Sequence, residues 1–147
     1  YESQSNLNFI EGNAMNLPFE DHAFDVVYNV ESSHCYSDMG AFIHEVHRVL
    51  KPGGHFAWTD FRDDKRMLMI HETFLEVGFE IEKQVDITEE VIHALDEISE
   101  DKKRRISKGT NRSIRRSFET FAGVKDTPVY NSFVNGSLRY YRYLLTK

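Results

Sequence analysis

The sequence has little cysteine, no recognisable secretory signal and no long apolar run. Its single cysteine, Cys35, excludes an internal disulfide and is typical of a reducing compartment. No stretch approaches the roughly 20 apolar residues that a transmembrane helix needs. We therefore expect a cytoplasmic protein without a membrane span. The first residue is Tyr1 and not methionine, so we also expect the natural N-terminus to lie upstream.

An excess of positive charge is lacking as well. The 147 residues carry 24 acidic and 18 basic side chains, which gives a net charge of −6 and argues against nucleic acid as the main partner. Residues 102–116 are the exception, with the basic side chains Lys102, Lys103, Arg104, Arg105, Lys108, Arg112, Arg115 and Arg116. This stretch lacks the interleaved aromatic residues of a nucleic-acid platform. A solvated helix face is the simplest interpretation, and steering of an anionic substrate or attraction to a membrane surface is the alternative.

The hydrophobic pattern alternates between strands and helices. The predicted strands are Leu7–Glu11, Phe24–Val30, His55–Phe61, Phe79–Val85 and Leu138–Leu145. Ser37 or Asp38 is predicted to cap a first helix, and a second covers Met67–Val77 up to Gly78. Thr88 is predicted to cap a third helix that reaches about Lys103, and a fourth lies around Phe118. Strand-helix alternation predicts an α/β fold in which consecutive strands lie side by side in a mainly parallel sheet. Residues of about 87–127 form a predicted helical insertion before the last strand.

Polar side chains follow the strand Phe24–Val30 with no turn glycine or proline between. The segment 31–35 reads Glu-Ser-Ser-His-Cys, which supplies groups that transfer protons or form hydrogen bonds. Ligands of open α/β sheets bind beyond the carboxyl ends of the strands. The segment therefore predicts a functional site at that edge.

Two longer stretches carry a resemblance. "FIEGNAMNLPFEDHAFDVVYNVESSHCY" followed by "FIHEVHRVLKPGGHFAWTDFR" resembles the second half of a class I S-adenosylmethionine-dependent methyltransferase, closely over Asn8 to Arg62 and more loosely beyond. "VESSHCY" and "TDFR" are most similar to small-molecule enzymes that methylate lipid-like or polyketide-derived hydroxyls. The resemblance implies a Rossmann-like sheet, mainly parallel, with an antiparallel last strand.

The resemblance also implies missing parts. No G-x-G-x-G occurs in the sequence, so the glycine-rich loop, the ribose-binding acidic residue and the N-terminal strands of the family belong upstream of Tyr1. Residues 1–147 would then be the C-terminal part of one methyltransferase domain. We expect this part to be inactive by itself.

The family pattern assigns the S-adenosylmethionine site to two places in this chain. It implies adenine contacts from Gly12, Asn13, Ala14 and Met15, and contacts with the methionine portion from Asn29, Val30 and Glu31. A simple turn is the alternative for the first set, because Gly-Asn favours turns. A solvated carboxylate at a strand end is the alternative for Glu31.

His34 is the predicted catalytic residue, with Glu31 as its helper. A histidine suits removal of a hydroxyl proton near neutral pH, although a structural histidine remains the alternative. The predicted acceptor contacts are His34, Tyr36, Phe61 and Arg62. No metal is expected, because His44 and His47 are three residues apart and zinc helices place histidines four apart.

Three functions compete. The leading hypothesis is methyl transfer from S-adenosylmethionine to a small-molecule acceptor, most simply a hydroxyl oxygen. The alternative is a methyltransferase-like binding or regulatory subunit without catalysis. Nucleic-acid modification rests only on residues 102–116, and the sequence leaves the oligomeric state open.

Overall fold

The computed structural model describes residues 7–97, 125 and 127–147. In chain order, its elements are β1 (Phe24–Val30), a 3-10 turn (Ser33–Cys35), α1 (Met39–Val49), β2 (Leu50–Arg62), α2 (Asp64–Val77), β3 (Glu80–Asp86), α3 (described over residues 88–97), α4 (Pro128–Val134) and β4 (Arg139–Thr146). The predicted helix around Phe118, the end of the helix predicted to reach Lys103, and the basic residues 102–116 lie outside the described residues.

The four strands form one sheet in the order β1-β2-β4-β3. Strands β1 and β2 pair in parallel, with Val30 opposite Thr59, and β4 runs antiparallel to both β2 and β3. Strands β1, β2 and β3 therefore point the same way, which confirms a mainly parallel sheet with an antiparallel last strand. The expectation that consecutive strands are neighbours is wrong for β2 and β3, because β4 lies between them.

Helix α1 begins and α2 ends where the sequence predicts, whereas α2 starts at Asp64, three residues before the predicted Met67. The Asp38 carboxylate accepts a hydrogen bond from the Ala41 N–H at 2.9 Å, which caps α1 as predicted. Asp63 caps α2 in the same way, and α2 ends at Gly78, whose φ of 103° favours glycine. The sharp ends let each helix pack directly against the sheet.

One face of the sheet carries the main hydrophobic core. Its buried residues come from α1, β2, α2, the residue before β3, and β4, and they are Phe42, Ile43, Val46, Leu50, Phe56, Trp58, Met67, Ile70, Phe74, Phe79, Tyr143 and Leu145. A second cluster of Leu95, Tyr130, Phe133 and Tyr140 packs around Phe61 near the carboxyl end of β2. None of the helices in the described part of the chain is long and apolar enough to cross a membrane.

Three local predictions are wrong. The segment 7–11 is not a strand, and Phe9 is 89% exposed, because no described strand offers this segment a hydrogen-bonded ladder. Thr88 lies inside α3, and the Asp86 carboxylate accepts from the Thr88 N–H instead. Strand β2 begins at Leu50, five residues before the predicted His55, because Lys51–Gly54 continues the strand.

Candidate active site

The site lies where β1 and β2 end side by side. Because Val30 is opposite Thr59, the residue after each one, Glu31 and Asp60, reaches the same level at the carboxyl edge. The 3-10 turn that follows β1 then folds Ser33 and His34 back over Asp60. Two neighbouring parallel strands thus bring together groups 26 or 27 residues apart in sequence.

Asp60 is the centre of the hydrogen-bond network at this edge. Its side chain is fully buried, and it accepts from the Ser33 hydroxyl at 2.7 Å and from the His34 N–H at 3.0 Å. Burial raises the pKa of this carboxyl group, but the hydrogen bonds from Ser33, His34 and the Phe61 N–H, together with the charge of Arg62, outweigh burial. The net result is a pKa below the usual value, so Asp60 is a carboxylate at neutral pH.

The Arg62 guanidinium forms an ion pair with the Asp60 carboxylate and balances its charge. One guanidinium nitrogen lies 3.2 Å from Asp60 Oδ1, and the other donates to Ser33 Oγ at 3.1 Å. Trp58 Nε1 also donates to Ser33 Oγ, at 2.9 Å, and the guanidinium lies over the Trp58 ring at 6.0 Å. Arg62 is only 8% exposed but lines the same cavity as His34, so its contact with an acceptor stays a prediction.

His34 connects this buried network to the surface. Its Nδ1 lies 2.9 Å from Asp60 Oδ1, and its side chain is 26% exposed. The imidazole packs against the Phe61 ring at 4.8 Å between centroids. With Nδ1 donating to the carboxylate, Nε2 keeps its lone pair as a proton acceptor. His34 lines a cavity of about 500 Å³ between the first turns of α1 and α2.

Glu31 takes an unusual backbone conformation just beyond β1. Its φ is 46°, a left-handed value that residues other than glycine rarely adopt. The Glu31 N–H donates to the Thr59 carbonyl at 3.0 Å, which holds the turn. Burial, followed by a hydrogen bond to the Glu31 carboxylate, raises the pKa of Tyr140. Glu31 is exposed, and its predicted contacts with the cofactor and with His34 stay predictions.

The predicted adenine segment forms a tight turn. The Asn13 side-chain oxygen accepts from the Met15 N–H at 3.0 Å, and the Asn13 carbonyl accepts from the Asn16 N–H at 2.9 Å. Gly12 packs so closely against Pro18 that a Cβ would lie 2.9 Å from the proline ring. Both observations agree with the turn interpretation of this segment, and they leave its adenine contacts a prediction.

Asn29 lines a cavity that is shared by the two predicted cofactor segments. It lines a cavity of about 370 Å³ together with Ala14 and Tyr36. Its amide nitrogen donates to Ser32 Oγ at 2.8 Å and to the Tyr36 hydroxyl at 3.0 Å. Its side-chain oxygen is buried and is the one such atom without a hydrogen-bond partner in the described part of the chain. An unpaired acceptor beside a largely apolar cavity fits a ligand with an aromatic base and N–H donors.

The sequence predicted much of this site and missed its centre. Glu31, His34, Tyr36, Phe61 and Arg62 all lie at the carboxyl ends of β1 and β2 as predicted. The residues that were missed are Ser33, Trp58, Asp60 and Tyr140. A carboxylate inside the otherwise apolar run of β2 was the available signal for Asp60, since such a group is buried only with partners. His44 and His47 lie on α1, away from this edge, and His47 packs edge-on against Phe79.

Comparison with known proteins gives similar sequences and similar structures. Residues 1–58 match the family described as "Methyltransferase domain". The chain is 34% identical over 141 residues to the phthiotriol/phenolphthiotriol dimycocerosates methyltransferase of Mycobacterium tuberculosis, covering 96% of this chain and 52% of that protein. It is 55% identical over 56 residues to the fatty-acid O-methyltransferase of Mycolicibacterium smegmatis, covering 38% of this chain and 20% of that protein. The chain therefore spans about half the length of the Mycobacterium tuberculosis relative.

Solved structures show the same fold. The O-methyltransferase of a trans-AT PKS multienzyme of Brevibacillus brevis, in complex with S-adenosyl-L-homocysteine, superposes with a TM-score of 0.71. It is 15% identical, and the match covers 92% of this chain and 48% of that one. The chain belongs to the class I S-adenosylmethionine-dependent methyltransferase family.

Proposed function

We propose that the protein that carries this chain transfers a methyl group from S-adenosylmethionine to a hydroxyl oxygen of a small molecule, with His34 as the general base. The observation that carries this proposal is the 2.9 Å contact between His34 Nδ1 and the buried Asp60 carboxylate. It leaves Nε2 as the free basic atom of a partly exposed ring at the edge of a cavity.

Besides His34, the proposed reaction needs only Asp60 and correct positioning of the two reactants. S-adenosylmethionine supplies an electrophilic methyl carbon on a sulfonium. The acceptor oxygen forms the new C–O bond as the C–S bond breaks, and the hydroxyl proton passes to His34 Nε2. The Asp60 carboxylate, kept ionised by its hydrogen-bond donors, stabilises the imidazolium that results. Orientation of the two reactants supplies the rest of the rate.

The cofactor would be held at the outer side of β1. Ala14 and Asn29 line one cavity there, and the unpaired Asn29 oxygen can accept from an N–H of the ligand. The acceptor would lie in the cavity that His34, Tyr36 and Arg62 line. The relatives that act on phthiotriol dimycocerosates and on fatty acids support a lipid-like acceptor.

The setting is proposed on compositional grounds. A net charge of −6 favours a small-molecule acceptor over nucleic acid. Cys35 is a free, exposed thiol, which supports work in the reducing cytoplasm.

The test is the pH dependence of turnover in His34→Gln. Loss of the base should lower turnover by roughly 10²–10⁴-fold, while cofactor affinity stays near that of the wild type. The wild-type rate should fall in acid, where a protonated Nε2 cannot accept the hydroxyl proton, and this acid limb should vanish in the variant. His44→Gln removes an exposed histidine of α1 and is the matched control.

Near-normal turnover in His34→Gln would show that His34 is structural and that positioning alone carries the reaction. Tight cofactor binding without methylation of any hydroxyl acceptor would favour the non-catalytic subunit instead.

A further inference from the structure

Helix α2 lines the cavity beside His34 with one stripe of side chains. Four α2 residues at the helical spacing i, i+3, i+4 and i+7 line this cavity of about 500 Å³, and they are Arg66, Met69, Ile70 and Thr73. Ile70 is only 5% exposed, whereas Met69 is 57% exposed. The apolar lining therefore extends from a buried floor at Ile70 to an open mouth at Met69.

The fixed charges that line the cavity are balanced within the protein. The Arg62 guanidinium lies 3.2 Å from the Asp60 carboxylate, and the Arg66 guanidinium lies 3.5 Å from Asp63. The Asp38 carboxylate accepts a backbone N–H and caps α1. Because each of these charges has a partner, the cavity suits a neutral, largely apolar ligand better than an ion.

Gly40 leaves space in the α1 wall of the cavity. It is the second residue of α1 and lines the same cavity. Glycine is a poor helix former, and Gly40 does not adopt the positive φ that would require it. Outside the adjoining backbone, a Cβ at this position would meet just one atom of the described residues, Asp38 Oδ1, at the ordinary contact distance of 3.4 Å. The backbone could therefore carry a larger residue here, and the glycine preserves cavity space instead.

We propose that this cavity is the subsite for the apolar body of the acceptor, and that Gly40 and Met69 determine which acceptors fit. The alkyl chain or ring that carries the reacting hydroxyl would lie between α1 and α2, while the hydroxyl itself meets His34 Nε2. Gly40 determines the width of the subsite. The unbranched thioether of Met69 adapts to ligands of different shape at its mouth. This inference rests on the proposed hydroxyl methylation.

The test compares two neutral phenols that differ only in the length of their tail, 4-heptylphenol and 4-methylphenol. Titration calorimetry measures both affinities on the whole protein saturated with S-adenosylhomocysteine, and methylation is measured separately with S-adenosylmethionine. The wild type should prefer 4-heptylphenol, because its tail buries more apolar surface. Gly40→Leu should lower this preference by about tenfold, since roughly two methylenes of the tail no longer fit. Gly40→Ala fills less space and should lower it less.

A second variant and two matched controls complete the test. Met69→Gln places a polar side chain at the mouth and should also lower the preference for 4-heptylphenol. His44→Leu adds a leucine at an exposed position of α1, and Leu75→Gln removes an exposed leucine of α2. Neither control residue lines the cavity, so both control variants should keep the preference of the wild type. Thermal unfolding checks that each variant is folded, and Met69→Gln, at an exposed position, serves if Gly40→Leu is not.

The outcomes separate this inference from the proposed function. A lower preference in Gly40→Leu or Met69→Gln, with both controls unchanged, supports the subsite. Equal binding of the two phenols by the wild type, an unchanged preference in both variants, or an equal loss in the controls overturns it. If the preference falls as expected but neither phenol is methylated, the subsite stands and the proposed function fails. If the phenols are methylated and the preference never changes, the proposed function stands and the subsite fails.

Discussion

The two ends of β1 and β2 use similar residues for different purposes. At the carboxyl edge, His34 hydrogen-bonds to Asp60 through Nδ1, and its Nε2 stays free beside a cavity. At the amino edge, Lys147 donates to the carbonyls of His47 and Leu50 and approaches His22 at 3.2 Å. There the polar groups close the C-terminal end of α1, where cations are favoured. A histidine is therefore a candidate catalytic residue only where one ring nitrogen stays free beside a cavity. The residue type alone is not enough.

Asp60→Asn should produce the largest effect. It removes the counter-charge of Arg62, which is 8% exposed, and breaking a buried ion pair costs about 3–5 kcal/mol of the free energy of unfolding. Denaturant unfolding of the wild type and the variant measures this loss. Asp25→Asn, at an exposed aspartate paired with Lys51, is the matched control and should change stability little. Equal effects of the two substitutions would contradict the buried network.

Lys147→Met should have a smaller effect, at the opposite edge. The ammonium satisfies two backbone carbonyls at the end of α1, a favourable interaction of about 0.3–1 kcal/mol at a helix C-terminus. Thermal unfolding should detect the loss, while cofactor affinity and turnover remain those of the wild type. A clear loss of turnover in this variant would show that the two edges are coupled.

The smallest effect concerns the pH dependence set by His47. Burial, followed by the charges of Lys147, His44 and His22, holds the pKa of His47 below its ordinary value of 6.5. A base with a depressed folded pKa binds protons more readily when unfolded, so its stability contribution is complete above pH 6.5 and declines as pH falls below it. His47→Gln should flatten the dependence of Tm on pH between 7 and 5. An unchanged slope would assign that dependence to other groups.

The fold could be predicted largely from local signals. Asp38, Gly78 and the apolar run Phe24–Val30 each act within a few residues, and all three were located correctly. The position of β4 between β2 and β3 could not be deduced from strand-helix alternation, because it depends on a pairing between segments about 80 residues apart. The family resemblance supplied the antiparallel direction of β4.

The candidate site likewise contains residues that the sequence signals and residues that only the folded sheet brings together. His34 and Glu31 were visible because they follow β1 directly in sequence. Asp60 and Tyr140 were not, because their proximity to His34 and Glu31 arises only when β1, β2 and β4 align. The left-handed φ of Glu31 had no signal either, since glutamate is an improbable residue for that conformation.

The central position of β4 also has a consequence for biosynthesis. Strand β3 pairs with β4 and has no ladder to β2, so nothing in the described sheet binds the β3 edge to the rest until Arg139–Thr146 is made. Chains grow from the N-terminus at about 5–20 residues per second, so these residues are made after β2 and β3. During the intervening seconds, β2 and β3 each present an unpaired edge to other chains in the cell. Strand β4 therefore completes the described sheet only after β2 and β3 have been made, and its pairing ends this exposure.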